Sequence, residues 1–118
     1  MATVFGLHQI ELREGVNPAE FERFVSEEVA AAPMPPGWKR YVLKADRGER
    51  AGTYAVLYEI ESVAVRDRFF PAPGEQSEEA KQFMQSPSEE QKALDAKWAS
   101  FVETALGDSY TDYMVLGR

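Results

Sequence analysis

The side chain best suited to chemistry in this sequence is its only histidine, His8. Its imidazole has an ordinary pKa of about 6.5, so it can exchange protons near neutrality. It stands in an alternating run, residues 3–12, where strand geometry puts Phe5 and Leu7 on one face and His8 on the other. The residues predicted to share the face of His8 are Val4, Ile10 and Leu12. A catalytic or ligand-binding role competes with a purely structural one.

Two tyrosines, Tyr54 and Tyr58, are spaced to share one face of a later strand. Placed across the sheet from His8, they could bind and polarise a phenolic or carbonyl substrate, with Tyr58 donating a hydrogen bond. We therefore predict His8 and Tyr58 as catalytic and Tyr54 as substrate-binding. The alternative is that both rings fill a hydrophobic interface, with their hydroxyl groups at its rim.

Further substrate contacts are predicted from Trp38 and Arg40, which share a face of the second strand. A guanidinium group can hold a carboxylate through two hydrogen bonds. Arg40 could equally pair with Glu59 or Glu61. A pocket could have an apolar wall formed by Phe69 and Phe70 together with Phe83 and Met84. Ordinary packing of a helix on a sheet would account equally well for these apolar residues.

No metal site is expected, because zinc needs several histidine, cysteine or carboxylate ligands together and this chain has no cysteine. No glycine-rich phosphate loop or nucleotide-binding motif is found either, so no cofactor is predicted. The 20 acidic residues exceed the 13 basic ones and give a net charge of -7, which argues against nucleic acid as a partner. Neither a membrane span nor a secretion signal is indicated, and we expect a cytoplasmic location.

The elements that must position these side chains follow the order strand, helix, strand, strand, broken helix, strand. Asn17 is predicted to cap the first helix, with Pro18 at its first position and the proline-rich residues 33–37 at its end. Residues 38–45 and 53–60 read as an antiparallel hairpin. A second helical region opens at Ser62, breaks at residues 71–74 and resumes as a short helix over residues 78–84.

A last helix is predicted to start with Ser86 as its cap and Pro87 at its first position, and to end at Gly107. Its apolar stripe consists of Leu94, Trp98, Phe101, Val102, Ala105 and Leu106. Residues 110–116 then form the closing strand.

This βαββαβ order predicts a single α+β domain over residues 1–118, with a ferredoxin-like, antiparallel four-stranded sheet and helices on one face. The other face would be left bare. An exposed apolar patch of that size usually marks an interface, so we predict a homodimer through the sheet face. The bulky residues predicted to line the bare face are Trp38, Val42, Tyr54, Val56, Tyr58 and Ile60.

The chain resembles the dimeric α+β barrel superfamily, which includes antibiotic-biosynthesis-type monooxygenases, haem-degrading monooxygenases, stress-responsive A/B barrel proteins and the NIPSNAP family. Residues 7–15, followed by residues 17–24, are similar to the first strand, turn and helix of such proteins. Residues 54–62 are similar to the third strand and its junction with a helix.

The resemblance implies a pocket between the sheet and the helices, with His8 lining it. It argues against haem degradation, because members that degrade haem use a histidine on the second helix and a tryptophan near the end of the third strand. This chain has no histidine after His8 and has Ile60 near the tryptophan position. The segment 71–86 is longer than the compact family pattern and is where substrate choice could differ.

Two functions follow as expectations. The first is a dimeric, small-molecule-binding protein of the cofactor-independent monooxygenase or cyclase type, acting on a hydrophobic aromatic or polyketide-like substrate. The second is a non-catalytic ligand-binding or structural module. A cavity that reaches His8 favours the first, and a filled interior favours the second.

Overall fold

The sheet at the centre of the fold has four antiparallel strands in the computed structural model, which describes residues 2–73, 75–85, 88–103 and 110–117 and only the backbone of residues 83–85. Its strand order is β2-β3-β1-β4. Both central strands therefore have a neighbour on each side. The strands are β1, Val4–Ile10; β2, Trp38–Lys44; β3, Tyr54–Ile60; and β4, Thr111–Met114.

The helices begin where the sequence offers caps. Helix α1, Pro18–Phe24, starts after Asn17, whose side chain accepts a hydrogen bond from the amide of Ala19. A π-helical segment, Val25–Val29, continues it. The remaining described helices are α2, Val63–Phe69; α3, Glu78–Gln85; and α4, Glu89–Phe101. None of the described helices is long and apolar enough to span a bilayer.

The predicted hairpin is confirmed, since β2 and β3 are antiparallel with Trp38 opposite Ile60 and Lys44 opposite Tyr54. The sheet and the helices form an α+β fold that is compatible with a ferredoxin-like arrangement. The core forms on one face of the sheet, where α1 and the residue after α4 meet the central strands. Its buried members are Ile10, Phe21, Phe24, Val29, Tyr54, Val56 and Val102.

The predicted alternation along β1 is confirmed, because Val4, His8 and Ile10 are buried whereas Phe5 and Leu7 are only half-buried on the opposite face. The register places His8 opposite Val56. Since side chains of paired residues lie on the same face, the second and third strands send their even-numbered residues toward the helices as well.

The prediction that these even-numbered residues line the bare face is therefore wrong. Tyr54, Val56 and Ile60 are buried in the core, and the partly buried side chains packed against it include Val42 and Tyr58. Trp38 lies opposite Ile60 and takes the same face. Apolar residues occur in both alternating sets, so alternation alone shows which residues share a face but not which face the helices cover.

The start and end of α4 also differ from prediction. Its N-cap is Ser88, whose side chain accepts from the amide of Gln91, so the helix begins two residues later than expected. Val102 pairs with Leu12 in an isolated bridge and does not continue the helix. The predicted residues that lie outside the described part of the chain are Gly74, Ser86, Pro87, Ala105, Leu106 and Gly107, together with the side chains of Phe83 and Met84.

Candidate functional site

His8 lies in the middle of β1 with only 2% of its surface exposed. Its Nε2 is buried and has no hydrogen-bond partner in the described part of the chain. Burial disfavours the imidazolium and lowers the pKa of His8, while a hydrogen bond with the backbone at Gln9 acts in the opposite direction. The ring is therefore neutral at pH 7, and a neutral imidazole nitrogen can accept a proton.

Tyr58 stacks beside His8, with ring centroids 6.4 Å apart and planes within 17°. Burial raises the pKa of Tyr58, whereas the charge and the hydrogen bond of Arg40 oppose that effect. The phenol stays protonated at pH 7. Arg40 also donates from Nη2 to the carbonyl oxygen of Val29, at 3.1 Å, where the π-helical segment ends. The structure thus brings the two predicted catalytic residues together, with Arg40 beside them.

Trp38 lies on the other side of Tyr58, with ring centroids 6.2 Å apart at a steep angle of 74°. Its Nε1 is the second buried polar atom without a hydrogen-bond partner in the described ranges. Phe69 and Phe70 contact the indole, at centroid distances of 6.0 Å and 5.8 Å. These phenylalanines therefore support Trp38, and any direct contact they make with a substrate stays a prediction.

Tyr110 completes the aromatic group around His8 and was not predicted as a site residue. Its ring lies 5.9 Å from that of His8 and 6.3 Å from that of Tyr58. Burial and a hydrogen bond with the Asp112 carboxylate raise its pKa, so this phenol is also protonated at pH 7. Asp112 in turn pairs with Arg66, at 3.3 Å.

The Tyr110 hydroxyl can lie where it does only because residue 6 is a glycine and has no side chain. A β-carbon at this position would lie 2.6 Å from Cζ of Tyr110 and 3.0 Å from Oδ1 of Asp112. A glycine inside a strand often marks such a close approach. Gly6 was therefore the one signal in the sequence that could have indicated a group packed against this strand, although it could not indicate which group.

Two cavities adjoin this cluster. The inner cavity, of about 120 Å³, is lined by His8, Val29, Arg40, Val56, Tyr58, Leu94, Asp95 and Trp98. The outer groove, of about 340 Å³, is lined by Val29, Ala30, Ala32, Met34, Trp38, Lys39, Arg40 and Tyr41. Val29 and Arg40 line both, so the hydrogen bond between them stands at the boundary of the two spaces.

Tyr54 is placed away from these cavities. Its ring packs edge-on against Phe21, and its hydroxyl donates to Glu22, at 2.5 Å. Burial and this hydrogen bond raise the pKa of Tyr54 to about 12. Lys44 donates to the same carboxylate oxygen, at 2.9 Å. These contacts give Tyr54 a structural role, and its predicted contact with a substrate stays untested.

The alternative pairing of Arg40 with Glu59 is not what the structure shows. Glu59 is paired with Lys39 and therefore lies on the opposite face of the sheet from Arg40. In the described ranges, no three histidine, aspartate or glutamate side chains are grouped closely enough to hold a metal ion.

Acidification is expected to lower the free energy of unfolding through His8. The unfolded chain binds a proton on this residue with a pKa near 6.5, whereas the folded protein binds it only at lower pH. Between these two pKa values the unfolded state holds more protons, so stability falls as the pH drops below about 6.5 and is unaffected by His8 above it. Urea unfolding between about pH 5 and pH 8 measures the effect.

His8→Gln is the matched control for this measurement, because glutamine is polar but does not titrate. The acidic residues titrate in both proteins, so the difference between the two stability curves isolates the histidine. The difference should change with pH only below about 6.5. Parallel curves over the whole range would show that His8 titrates in the folded protein as it does in the unfolded chain.

Comparison of the chain with protein-family models, with curated proteins and with solved structures gave no match.

Proposed function

We propose that this protein binds a small aromatic molecule in the inner cavity and promotes proton transfer on it, with His8 as the base. The observation that carries the proposal is the buried, neutral imidazole of His8, which lines a cavity with Tyr58 and Trp98 and whose Nε2 has no hydrogen-bond partner among the described residues. A buried polar atom without a partner is uncommon in folded proteins and often marks a functional position. Monooxygenase-type or cyclase-type chemistry, in the manner of the dimeric α+β barrels, is part of this proposal.

The proposed chemistry starts with transfer of a proton from an acidic C–H or O–H of the ligand to Nε2 of His8. The resulting oxyanion is stabilised by the protonated phenol of Tyr58, which the Arg40 guanidinium polarises. A cyclase would then need no further reactant. A monooxygenase would use dioxygen to oxidise a CH2 group of the ligand to a carbonyl group, with one oxygen atom entering the ligand and the other leaving with the two hydrogens as water. Both roles require a ligand that carries a phenolic or enolic oxygen.

The size of the inner cavity restricts the ligand. At about 120 Å³ it is comparable with an engineered cavity of about 150 Å³ that accepts benzene. It therefore accommodates a single ring. A larger, polyketide-like molecule would have to extend past Arg40 into the outer groove.

Binding can be tested by NMR, because the imidazole signals of the single histidine are unambiguous. Phenol at concentrations on the order of millimolar, the affinity range of so small a ligand, should shift the Nε2 resonance of His8 and the indole resonance of Trp98. Cyclohexanol, which has the same oxygen but no acidic proton or aromatic ring, is the matched control ligand. Unchanged His8 and Trp98 signals with phenol would contradict the proposal.

Catalysis is tested separately, by solvent deuterium exchange at the acidic carbon of 1-phenylbutane-1,3-dione. Removal of a general base usually costs about 10²-fold to 10⁴-fold in rate, so His8→Gln should slow the exchange by that amount. Tyr113→Phe, on the opposite face of the sheet, is the control variant. Binding with equal exchange rates in wild type and His8→Gln would favour the second function, a non-catalytic ligand-binding module.

We further propose a homodimer formed through the open face of the sheet, as in the superfamily that the chain resembles. This face carries the side chains Phe5, Leu7, Tyr41, Leu43, Leu57 and Tyr113. Among them Tyr41, Leu43 and Tyr113 are exposed in the single chain. Contiguous apolar surface of this kind is uncommon on monomers. A cytoplasmic location, with which the lack of cysteine is compatible, belongs to the same proposal.

Leu43→Glu is expected to shift the protein from dimer to monomer, because a carboxylate would be buried without a partner at the interface. Leu43 is 40% exposed in the single chain, so the substitution should leave the fold of the subunit intact. Sedimentation velocity over a dilution series measures the change. Leu116→Glu, at a position 86% exposed, is the control. A wild-type protein that is monomeric at micromolar concentration would contradict the dimer.

A further inference from the structure

The outer groove has a donor-rich wall in a strongly acidic protein. Its lining includes Trp38 and Arg40, which send their side chains to the helix-covered face of the sheet, and none of its described lining residues is acidic. The chain as a whole carries a net charge of -7. A guanidinium in a groove whose described lining residues carry no negative charge favours an anionic ligand in so acidic a chain.

Trp38 supplies an observation that is independent of charge. Its Nε1–H is buried and has no hydrogen-bond partner in the described ranges, although Trp38 lines the groove. An indole nitrogen is a donor only, so just an acceptor can satisfy it. Because an unmade hydrogen bond of a buried donor is costly, a ligand that brings an acceptor to this atom would be bound preferentially.

Arg40 connects the groove with the cavity at His8. It donates to the carbonyl oxygen of Val29, and its charge opposes the rise in the pKa of the Tyr58 phenol. Arg40 and Val29 line both spaces. A guanidinium has five N–H donors in a planar fork, which leaves donors for two parallel hydrogen bonds to a carboxylate. A ligand held by Arg40 in the groove therefore has the inner cavity directly beside it.

We infer that the outer groove binds the carboxylate of an aromatic acid, through Arg40 and Trp38, and that the ring of this acid enters the inner cavity. The first half of the inference stands on the groove alone, and the second half rests on the proposed function. Another part of the groove wall is formed by Val29, Ala30, Ala32 and Met34, whose side chains are apolar. Such a wall suits a molecule with one charged end better than a fully hydrated ion.

The experiment follows the two indole N–H signals of the whole protein during titration with 4-hydroxyphenylacetate. The chain has two tryptophans, of which Trp38 lines the groove and Trp98 lines the inner cavity. The signals are assigned with Trp38→Phe. The acid should shift both indole signals and the imidazole of His8, and its neutral amide should bind about tenfold or more weakly, because it lacks the charge that Arg40 recognises.

Arg40→Gln should weaken the binding of the acid by about tenfold or more without changing that of the amide. Arg47→Gln removes the same charge from an exposed loop and should leave both affinities unchanged. Arg40→Lys keeps the charge without the planar fork and should give an intermediate affinity. Equal affinity of acid and amide in the wild type would overturn the carboxylate subsite.

The remaining outcomes separate this inference from the proposed function. If the acid shifts Trp38 but neither Trp98 nor His8, the carboxylate subsite stands and the proposed use of the inner cavity fails. If phenol shifts Trp98 and His8 while the acid leaves Trp38 unchanged, the proposed function stands and the subsite is overturned. Inorganic phosphate that binds as tightly as the acid would show a general anion site and overturn the assignment to an aromatic acid.

Discussion

Phe21→Ala is expected to lower the free energy of unfolding by about 3 to 5 kcal/mol, the usual cost of removing a buried aromatic ring. The ring is 0% exposed. It contacts Tyr54 of β3 at 5.2 Å and both Trp98 and Phe101 of α4 at 5.7 Å between ring centroids. The ring therefore joins α1 to both the sheet and α4. Chemical denaturation measures the loss.

Leu116→Ala is the control for this experiment, because Leu116 is 86% exposed. Substitutions at such positions usually change stability by less than about 0.5 kcal/mol. Phe21→Leu, which keeps most of the apolar volume, should fall between the two. If Phe21→Ala cost no more than Leu116→Ala, the packing of α1 and α4 on the even-numbered face of the sheet would be contradicted.

Gly6→Ala is expected to displace the Tyr110 ring from its position on β1 and to destabilise the protein by about 1 to 3 kcal/mol, as overpacking usually does. The added β-carbon would lie 2.6 Å from Cζ of Tyr110, closer than atoms can approach without a shift. Once displaced, the phenol loses its burial and its hydrogen bond with Asp112. Its pKa should then fall toward the ordinary value of about 10, which NMR titration of labelled tyrosine can follow.

Tyr110→Ala provides the matched background for this prediction. In that variant the added methyl group meets only Oδ1 of Asp112, at 3.0 Å, the end of a side chain that can shift. Alanine also restricts the unfolded chain more than glycine does, so Gly6→Ala should cost much less than in the wild type. The two substitutions should therefore show a coupling energy in a double-mutant cycle. An equal cost of Gly6→Ala in both backgrounds would show that Tyr110 is not what occupies the space above Gly6.

Local features of the fold could be predicted because their causes are local. Asn17 caps α1 since its side chain reaches an amide two residues later, and that requires no knowledge of the rest of the chain. The alternation along β1 is confirmed for the same reason, as is the pairing of β2 with β3, which are consecutive in the chain and joined by residues 45–53. The start of α4 was missed because Ser86 and Ser88 are equally good caps by residue type, and only the hydrogen bond to Gln91 distinguishes them.

The sequence predicted only part of the group of residues around His8. His8 and Tyr58 do lie together, because the pairing of β1 with β3 places His8 opposite Val56. Tyr54 and Tyr58 flank Val56 on the same face of β3, so both are neighbours of His8. Tyr54 is one such neighbour, yet its hydroxyl turns to Glu22 on α1. Tyr110 was missed because it reaches His8 only through the pairing of β4 with β1, between residues about a hundred positions apart.

The sequence by itself determined the types of the elements, the residues that share each face and the single imidazole available for chemistry, because these depend on local geometry and composition. Only the tertiary structure decided which face the helices cover, and with it that the imidazole is buried and neutral. Burial and pKa depend on long-range contacts, which no local pattern contains. The same contacts leave Nε2 of His8 and Nε1 of Trp38 without partners in the part of the chain that the structure describes, and these two atoms define the proposed site.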